Sequence, residues 1–265
     1  MRNIDVEYIG DPKAGFLVYR NILTEDLRIP ERLEATIGDS TTPPYSWMQA
    51  LVGDGQVMKD YRDCVDCKMS PAHFQNCPEQ YSELINIYND TVVGLTACLQ
   101  DYESRYNIRM DFMEAINYVR YNEGQHFNVH ADHGFSYVCT VSSVMYLNDD
   151  YDGGDICFYM DGKFINHKPK AGDILIFPST EPYYHGVKSI TKGNKFFVRN
   201  FVVYNFNGTE EWLKNQRFYG AHRWGKMEQE RVEYEMARSM LYIVDDKVVP
   251  FEEARPDPRY KNLKK

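Results

Sequence analysis

The sequence has no apolar run approaching the length of a membrane span, and its first fifteen residues, MRNIDVEYIGDPKAG, lack the apolar core of a secretory leader. A spanning helix and an export signal are therefore not expected. Excess positive charge is also missing: 30 basic residues face 39 acidic ones, for a net charge of -9. That balance gives no general attraction for a phosphate backbone, so nucleic acid is a disfavoured partner. Cysteine is sparse, with six in 265 residues, and without an export signal these read as reduced thiols of a cytoplasmic protein rather than as a disulfide framework. Internal repeats and low-complexity linkers are absent too, which favours one domain over 1–265.

What is present divides by hydrophobic period. GFLVYRNIL (15–23) reads as a strand, and Thr24 before EDLRIPERLEATIG reads as the cap of a helix that Pro30 interrupts. Residues 40–80 hold no sustained period and read as irregular. From Ser82 to about Tyr106, Leu84, Tyr88, Val92, Leu95, Leu99 and Tyr102 recur at spacings of three and four, the mark of an amphipathic helix that packs on a sheet. The period then changes to two in INYVRY, YVCTVSSVMYL, DICFYM, KFINHK, DILIFP, HGVKSI and KFFVRNFVVYN, with Asp161-Gly162 as a hairpin turn. Short strands at such intervals predict a mainly β fold with flanking helices (α+β) around a jelly-roll core. The expected division is N-terminal support in 1–114, the jelly roll in 115–205 and a helical extension in 206–265, with EEWLKNQRF and KMEQERVEYEMARSMLYIV as its helices.

The stretch HFNVHADHG (126–134) carries three histidines and an aspartate in nine positions. Residues i and i+2 of an extended strand share a face, so His130 and Asp132 can offer an imidazole and a carboxylate to one metal ion. His185 is the third candidate, brought in from a later strand. Histidine and carboxylate with positions left open suit Fe(II) and dioxygen chemistry. His126 and His133 have the wrong place or parity and read as exposed or hydrogen-bonded side chains. A rival metal pattern, Cys64, Cys67, His73 and Cys77 at C-x2-C-x5-H-x3-C, resembles a small zinc site. Its spacing departs from the common knuckles, and Cys98, Cys139 and Cys157 sit in apolar contexts as core residues.

Four segments in order, YNEGQHFNVHAD, VMYLNDDYDGGDICF, PKAGDILIFPS and HGVKSITKGNKFFVRNFVVYN, give the sequence a resemblance to the prolyl 4-hydroxylase-like branch of the 2-oxoglutarate and Fe(II) dependent dioxygenases. Tyr121, Gly124, Tyr146 to Asn148, Gly153 to Asp155, Ala171 to Asp173 and Lys195 occupy the places of recurrent family positions. The resemblance implies a double-stranded β-helix of the cupin-like kind, with His130, Asp132 and His185 as iron ligands and catalytic centre. It implies 2-oxoglutarate as cosubstrate, its remote carboxylate held by Lys195 with Tyr121 and Tyr146, and Arg199 in reserve. It also implies L-ascorbate as a reductant. Asp155, where the family usually has Glu, is the expected substrate contact. The implied reaction is hydroxylation of a prolyl residue in a peptide or protein by O2, releasing succinate and CO2, under lids formed by 40–80 and NDDYDGG. A free amino acid or other small molecule, and a cupin-like module without turnover, are the alternatives.

Overall fold

A computed structural model describes residues 5–52, 55–132, 140–160, 163–179, 183–206, 241–244 and 247–250. The strands of the first half are β1 (Val6–Tyr8), β2 (Leu17–Tyr19), β3 (Met48–Gln49), β4 (Val65–Met69), β5 (Ile108–Met113), β6 (Ile116–Tyr121) and β7 (Phe127–His130). There follow β8 (Thr140–Tyr146), β9 (Asp152–Gly153), β10 (Ile156–Met160), β11 (Lys163–His167), β12 (Ile174–Pro178), β13 (Tyr184–Val187), β14 (Ile190–Lys192), β15 (Lys195–Phe206), β16 (Leu241–Val244) and β17 (Lys247–Pro250). Among the described residues three α-helices accompany them: α1 (Ile29–Ile37), α2 (Pro71–Phe74) and α3 (Glu83–Tyr106).

Two antiparallel sheets make the core. The larger has the order β1-β2-β12-β8-β15-β6-β4-β3, and β5 pairs with the later part of β15 beyond β6. The smaller has the order β11-β10-β13-β7. Aromatic rings lock one sheet onto the other. Phe177 of β12 stacks on Phe16 with centroids 5.0 Å apart, and Phe158 of β10 meets Phe16 edge-on at 4.4 Å. All three rings are fully buried, and each contributes about 1.5–3 kcal/mol relative to an exposed ring. This is the expected jelly roll, a double-stranded β-helix with helices on its outer side.

Helix α3 buries the stripe that the sequence marks, including Leu84, Tyr88, Leu95, Leu99 and Tyr102, and ends at Asn107, which takes the left-handed conformation at φ 49°. Polar atoms on the stripe are satisfied by the sheet side: Tyr102 Oη donates to Gly15 O at 2.9 Å, and Thr91 Oγ1 lies 2.7 Å from Tyr118 Oη of β6. The turn before β12 requires glycine, because Gly172 sits at φ +83° and a Cβ there would lie 2.2 Å from Leu23 O. Asp173 beside it is buried and pairs with Arg20, tying β2 to β12.

Several expectations are corrected. The span 40–80 is not irregular throughout: β4 lies inside the larger sheet, with Cys67 opposite Tyr118 of β6. Pro30 does not interrupt a helix but opens one, occupying the first turn of α1, where its missing N–H costs nothing. The break comes at Arg28, in the left-handed conformation at φ 45°, and Thr24 makes no side-chain cap. Leu241 to Val244, assigned to a C-terminal helix, form β16 paired with β17. Asp161-Gly162, His133, Cys139 and the helices expected over 210–240 lie outside the described residues. Among those described, no helix is long and apolar enough to cross a membrane.

Candidate metal centre and its cavity

Strands β7 and β13 pair so that His130 and His185 are direct cross-strand partners. Their rings come within 4.5 Å, centroid to centroid, inside the smaller sheet's buried face. Gly186 permits that approach, since a Cβ on it would stand 3.1 Å from Phe127 O. Asp132 lies just past the end of β7 and turns back between the two rings. Its Oδ1 is 3.4 Å from His130 Nε2 and its Oδ2 is 3.4 Å from His185 Nε2. The ligand atoms of the three residues all lie within 4.8 Å of one another, the only such group of His, Cys, Asp or Glu among the described residues.

The hydrogen bonds around the triad select the protonation states that a cation needs. His130 Nδ1 faces Asn128 O at 2.7 Å and His185 Nδ1 faces Tyr183 O at 3.1 Å. A carbonyl only accepts, so each Nδ1 carries a proton, which leaves each Nε2, on the Asp132 side, as the nitrogen that would ligate a cation. Burial and the neighbouring His185 push the His130 imidazole down to about 4, against the pull of Asp132. Burial would raise the Asp132 carboxyl, but His185 and His130 outweigh it and hold it well below the usual carboxylate range. An already ionised Asp132 carboxylate binds a divalent ion without first losing a proton. Ser142 of β8 donates to Asp132 Oδ2 at 2.5 Å and is itself 2.8 Å from Ser179 Oγ. Neither serine stood out in the sequence, where both look like ordinary strand residues.

A small cavity of about 40 Å³, partly open to solvent, extends from the triad between the two sheets. Tyr121, Tyr146, Lys195 and Arg199, widely separated in sequence, all line it. Lys195 is 1% exposed and directly opposite Tyr121 in the β15–β6 register. Its Nζ donates to Gly154 O at 2.7 Å, and burial together with the charge of Lys168 pushes it down to about 7, against the pull of Asp155. The Tyr146 hydroxyl is buried and has no hydrogen-bond partner among the described residues. Asp155 does not line the cavity; its backbone carbonyl accepts the Lys188 N–H at 3.0 Å. His126 is half-buried, with a ring nitrogen 3.4 Å from Asp60 O. Arg62, absent from the sequence reading, lines the cavity and is 6% exposed.

The zinc pattern is not assembled. Cys67 points its Sγ at Pro44 O, 3.3 Å away, whereas Cys64, three residues earlier along extended chain, faces Arg62 and Tyr121. His73 Nδ1 accepts the Ser70 N–H at 3.1 Å as part of the α2 cap. Cys98 and Cys157 are buried, as expected of core residues.

Residues 116–206 match the sequence profile of the 2OG-Fe(II) oxygenase superfamily. Among curated proteins, prolyl 3-hydroxylase 2 of Mus musculus is 42% identical over 60 residues, which is 22% of this chain and 8% of that protein. A PKHD-type hydroxylase of Acaryochloris marina is 25% identical over 130 residues, 43% of this chain and 58% of that one. The chain thus matches less than a tenth of the first relative's length and little more than half of the second's. Among solved structures, a Trichoplax adhaerens prolyl hydroxylase in complex with a hypoxia inducible factor peptide fragment superposes with a TM-score of 0.56 at 15% identity, over 72% of this chain and 84% of that one. A Pseudomonas putida prolyl-4-hydroxylase gives 0.51 at 18% identity, over 72% and 94%. These structures share the fold.

Proposed function

We propose, for a chain that belongs over residues 116–206 to the 2OG-Fe(II) oxygenase superfamily, that it is a 2-oxoglutarate dependent dioxygenase hydroxylating a prolyl residue in a peptide or protein. The observation that carries the reading is one cavity bounded by a facial His-Asp-His set at one end and a buried lysine at the other. The residues fit the groups the family uses. Two imidazoles and one carboxylate on one side of an ion would suit Fe(II) and leave its other positions accessible. The orphaned Tyr146 hydroxyl and a Lys195 ammonium with one hydrogen bond among the described residues suit a carboxylate that must leave water.

Fe(II) and 2-oxoglutarate, when bound, supply the power to insert an oxygen atom of O2 into a C–H bond, with succinate and CO2 as coproducts. The chain's part is positional. His130, Asp132 and His185 hold the metal on one face, and Ser142 keeps the Asp132 carboxylate turned toward it. Lys195, Tyr121 and Tyr146 orient the cosubstrate by its remote carboxylate. Phe127, stacked on the His130 ring at 3.6 Å, shields the metal end from solvent. The reductant L-ascorbate belongs in the assay to keep iron ferrous. A prolyl substrate is favoured by the peptide that the Trichoplax enzyme holds. Incubation of proline-containing peptides with protein, Fe(II) and 2-oxoglutarate, read by mass spectrometry, should show one added oxygen on proline. Succinate release without any oxygen gained on such peptides moves the substrate to a free amino acid or other small molecule.

A further inference from the structure

Lys195 and Arg199 share one face of β15 and line one cavity, but at different ends of it. Four residues of strand separate them by about 13 Å at roughly 3.3 Å per residue. Lys195 sits opposite Tyr121, whereas Arg199 sits opposite Val144 of β8, two residues from Ser142, the serine that holds Asp132. Arg199 is therefore at the metal end. There its guanidinium rests 4.5 Å over the Phe201 ring, and among the described residues it has no hydrogen bond or ion pair. Its Nε is inaccessible and unpartnered.

A second guanidinium stands close by. Arg62 lies 5.0 Å over the Phe127 ring, which in turn stacks on His130. Arg62 Nη1 donates to Leu51 O at 2.8 Å and Nη2 is 3.5 Å from Asp66, yet its Nε also lacks a partner. Burial, and next the charge of Arg62, push the Arg199 guanidinium down from its ordinary value. Asp132, the carboxylate nearest the metal end, is already shared between two imidazoles and Ser142. Arg62 is compensated by Leu51 O, Asp66 and Cys64, whereas the half-buried Arg199, with its Nε inaccessible and unpartnered and a second guanidinium facing the same cavity, has little compensation among the described residues, and an arriving anion offsets that cost.

We propose that Arg199, backed by Arg62, forms a second carboxylate subsite at the metal end of the cavity, separate from the subsite of Lys195. The planar fork of Arg199 suits a carboxylate bound through two parallel N–H donors. This inference rests on the dioxygenase reading. The carboxylate has two possible sources: the 2-oxo acid end of the cosubstrate, or a free carboxylate on the substrate. In the second case the substrate is a free amino acid or chain terminus and not an internal prolyl residue.

The test is calorimetric titration of Mn(II)-loaded protein with 2-oxoglutarate and with pyruvate, which has the 2-oxo acid end but no remote carboxylate. If the cosubstrate is the source, Arg199→Met weakens pyruvate at least tenfold, Arg199→Lys weakens it less, and Lys195→Met weakens 2-oxoglutarate while sparing pyruvate. If the substrate is the source, pyruvate binding is unchanged, L-proline binds the Mn(II)·2-oxoglutarate complex more tightly than L-prolinamide, and Arg199→Met abolishes the difference. Folding is checked by thermal melts, in which Arg199→Met matches or exceeds wild type because an uncompensated cation has been removed. Unchanged pyruvate binding in Arg199→Met, together with no preference of the wild type for proline over its amide, overturns the subsite. Failure of the wild type to bind 2-oxoglutarate is a different result: it removes the dioxygenase reading itself.

Discussion

Asp132 depends on a hydroxyl for its aim, so the metal centre has more than three determinants. Removing the Ser142 donor leaves Asp132 Oδ2 with only the His185 ring, and Ser142→Ala should weaken Mn(II) or Fe(II) binding by about 10–100-fold in a calorimetric titration. Unaltered affinity would take Ser142 out of the site. Lys195 carries a pH prediction. Its folded-state value near 7 means that above pH 7 the empty site holds mostly neutral lysine, while a bound carboxylate favours the ammonium. Cosubstrate binding must then take up a proton, so the apparent affinity for 2-oxoglutarate falls with rising pH above 7, by up to about tenfold per pH unit. A flat affinity from pH 6.5 to 8.5 would say that Lys195 stays charged throughout. His130, Asp132 and His185 were legible in the sequence because few structural reasons place such side chains together. Ser142, Ser179 and Arg62 were not, since a serine in a strand or an arginine in a loop carries no local signal of what lies opposite it.

The strands show how far a period can be read. In β10, β12 and β15 the β-branched and aromatic runs were strong enough to mark the strand at once. In β4, Val65, Cys67 and Met69 alternate with Asp66 and Lys68, so the strand period is present in a stretch whose cysteines also fit a zinc pattern. The same period runs through β5, where Ile108, Met110 and Phe112 alternate with polar neighbours and Met. Pro30 was misread as a breaker because proline tells a helix start from a helix stop only by its position. The aromatic seam between the sheets gives the packing prediction. Phe177 touches Phe16, Phe158 and the His185 ring, the last at 4.8 Å, so Phe177→Ala should cost about 3–5 kcal/mol in urea unfolding and weaken metal binding as well. A variant with lost stability and wild-type metal affinity would show that the seam and the site are independent.

Taken whole, the molecule places its chemistry between two sheets whose order cannot be read along the chain. His130 and His185 are 55 positions apart, and Tyr121, Tyr146, Lys195 and Arg199 come from three strands, yet all border one cavity. The resemblance of four segments implies this arrangement, because the family's strand order comes with those segments. Substrate choice has no such carrier and depends on the cavity's mouth and on the charges within it. The most direct measurement of the central claim is succinate formed from 2-oxoglutarate with Fe(II), O2 and ascorbate, compared between wild type and His185→Ala. Wild-type protein should release succinate even in the absence of a substrate, and the variant should release none while still unfolding in one cooperative transition, at a temperature lowered by the loss of a buried ring. Equal release by both would mean that these three side chains are not the centre at which the oxidation occurs.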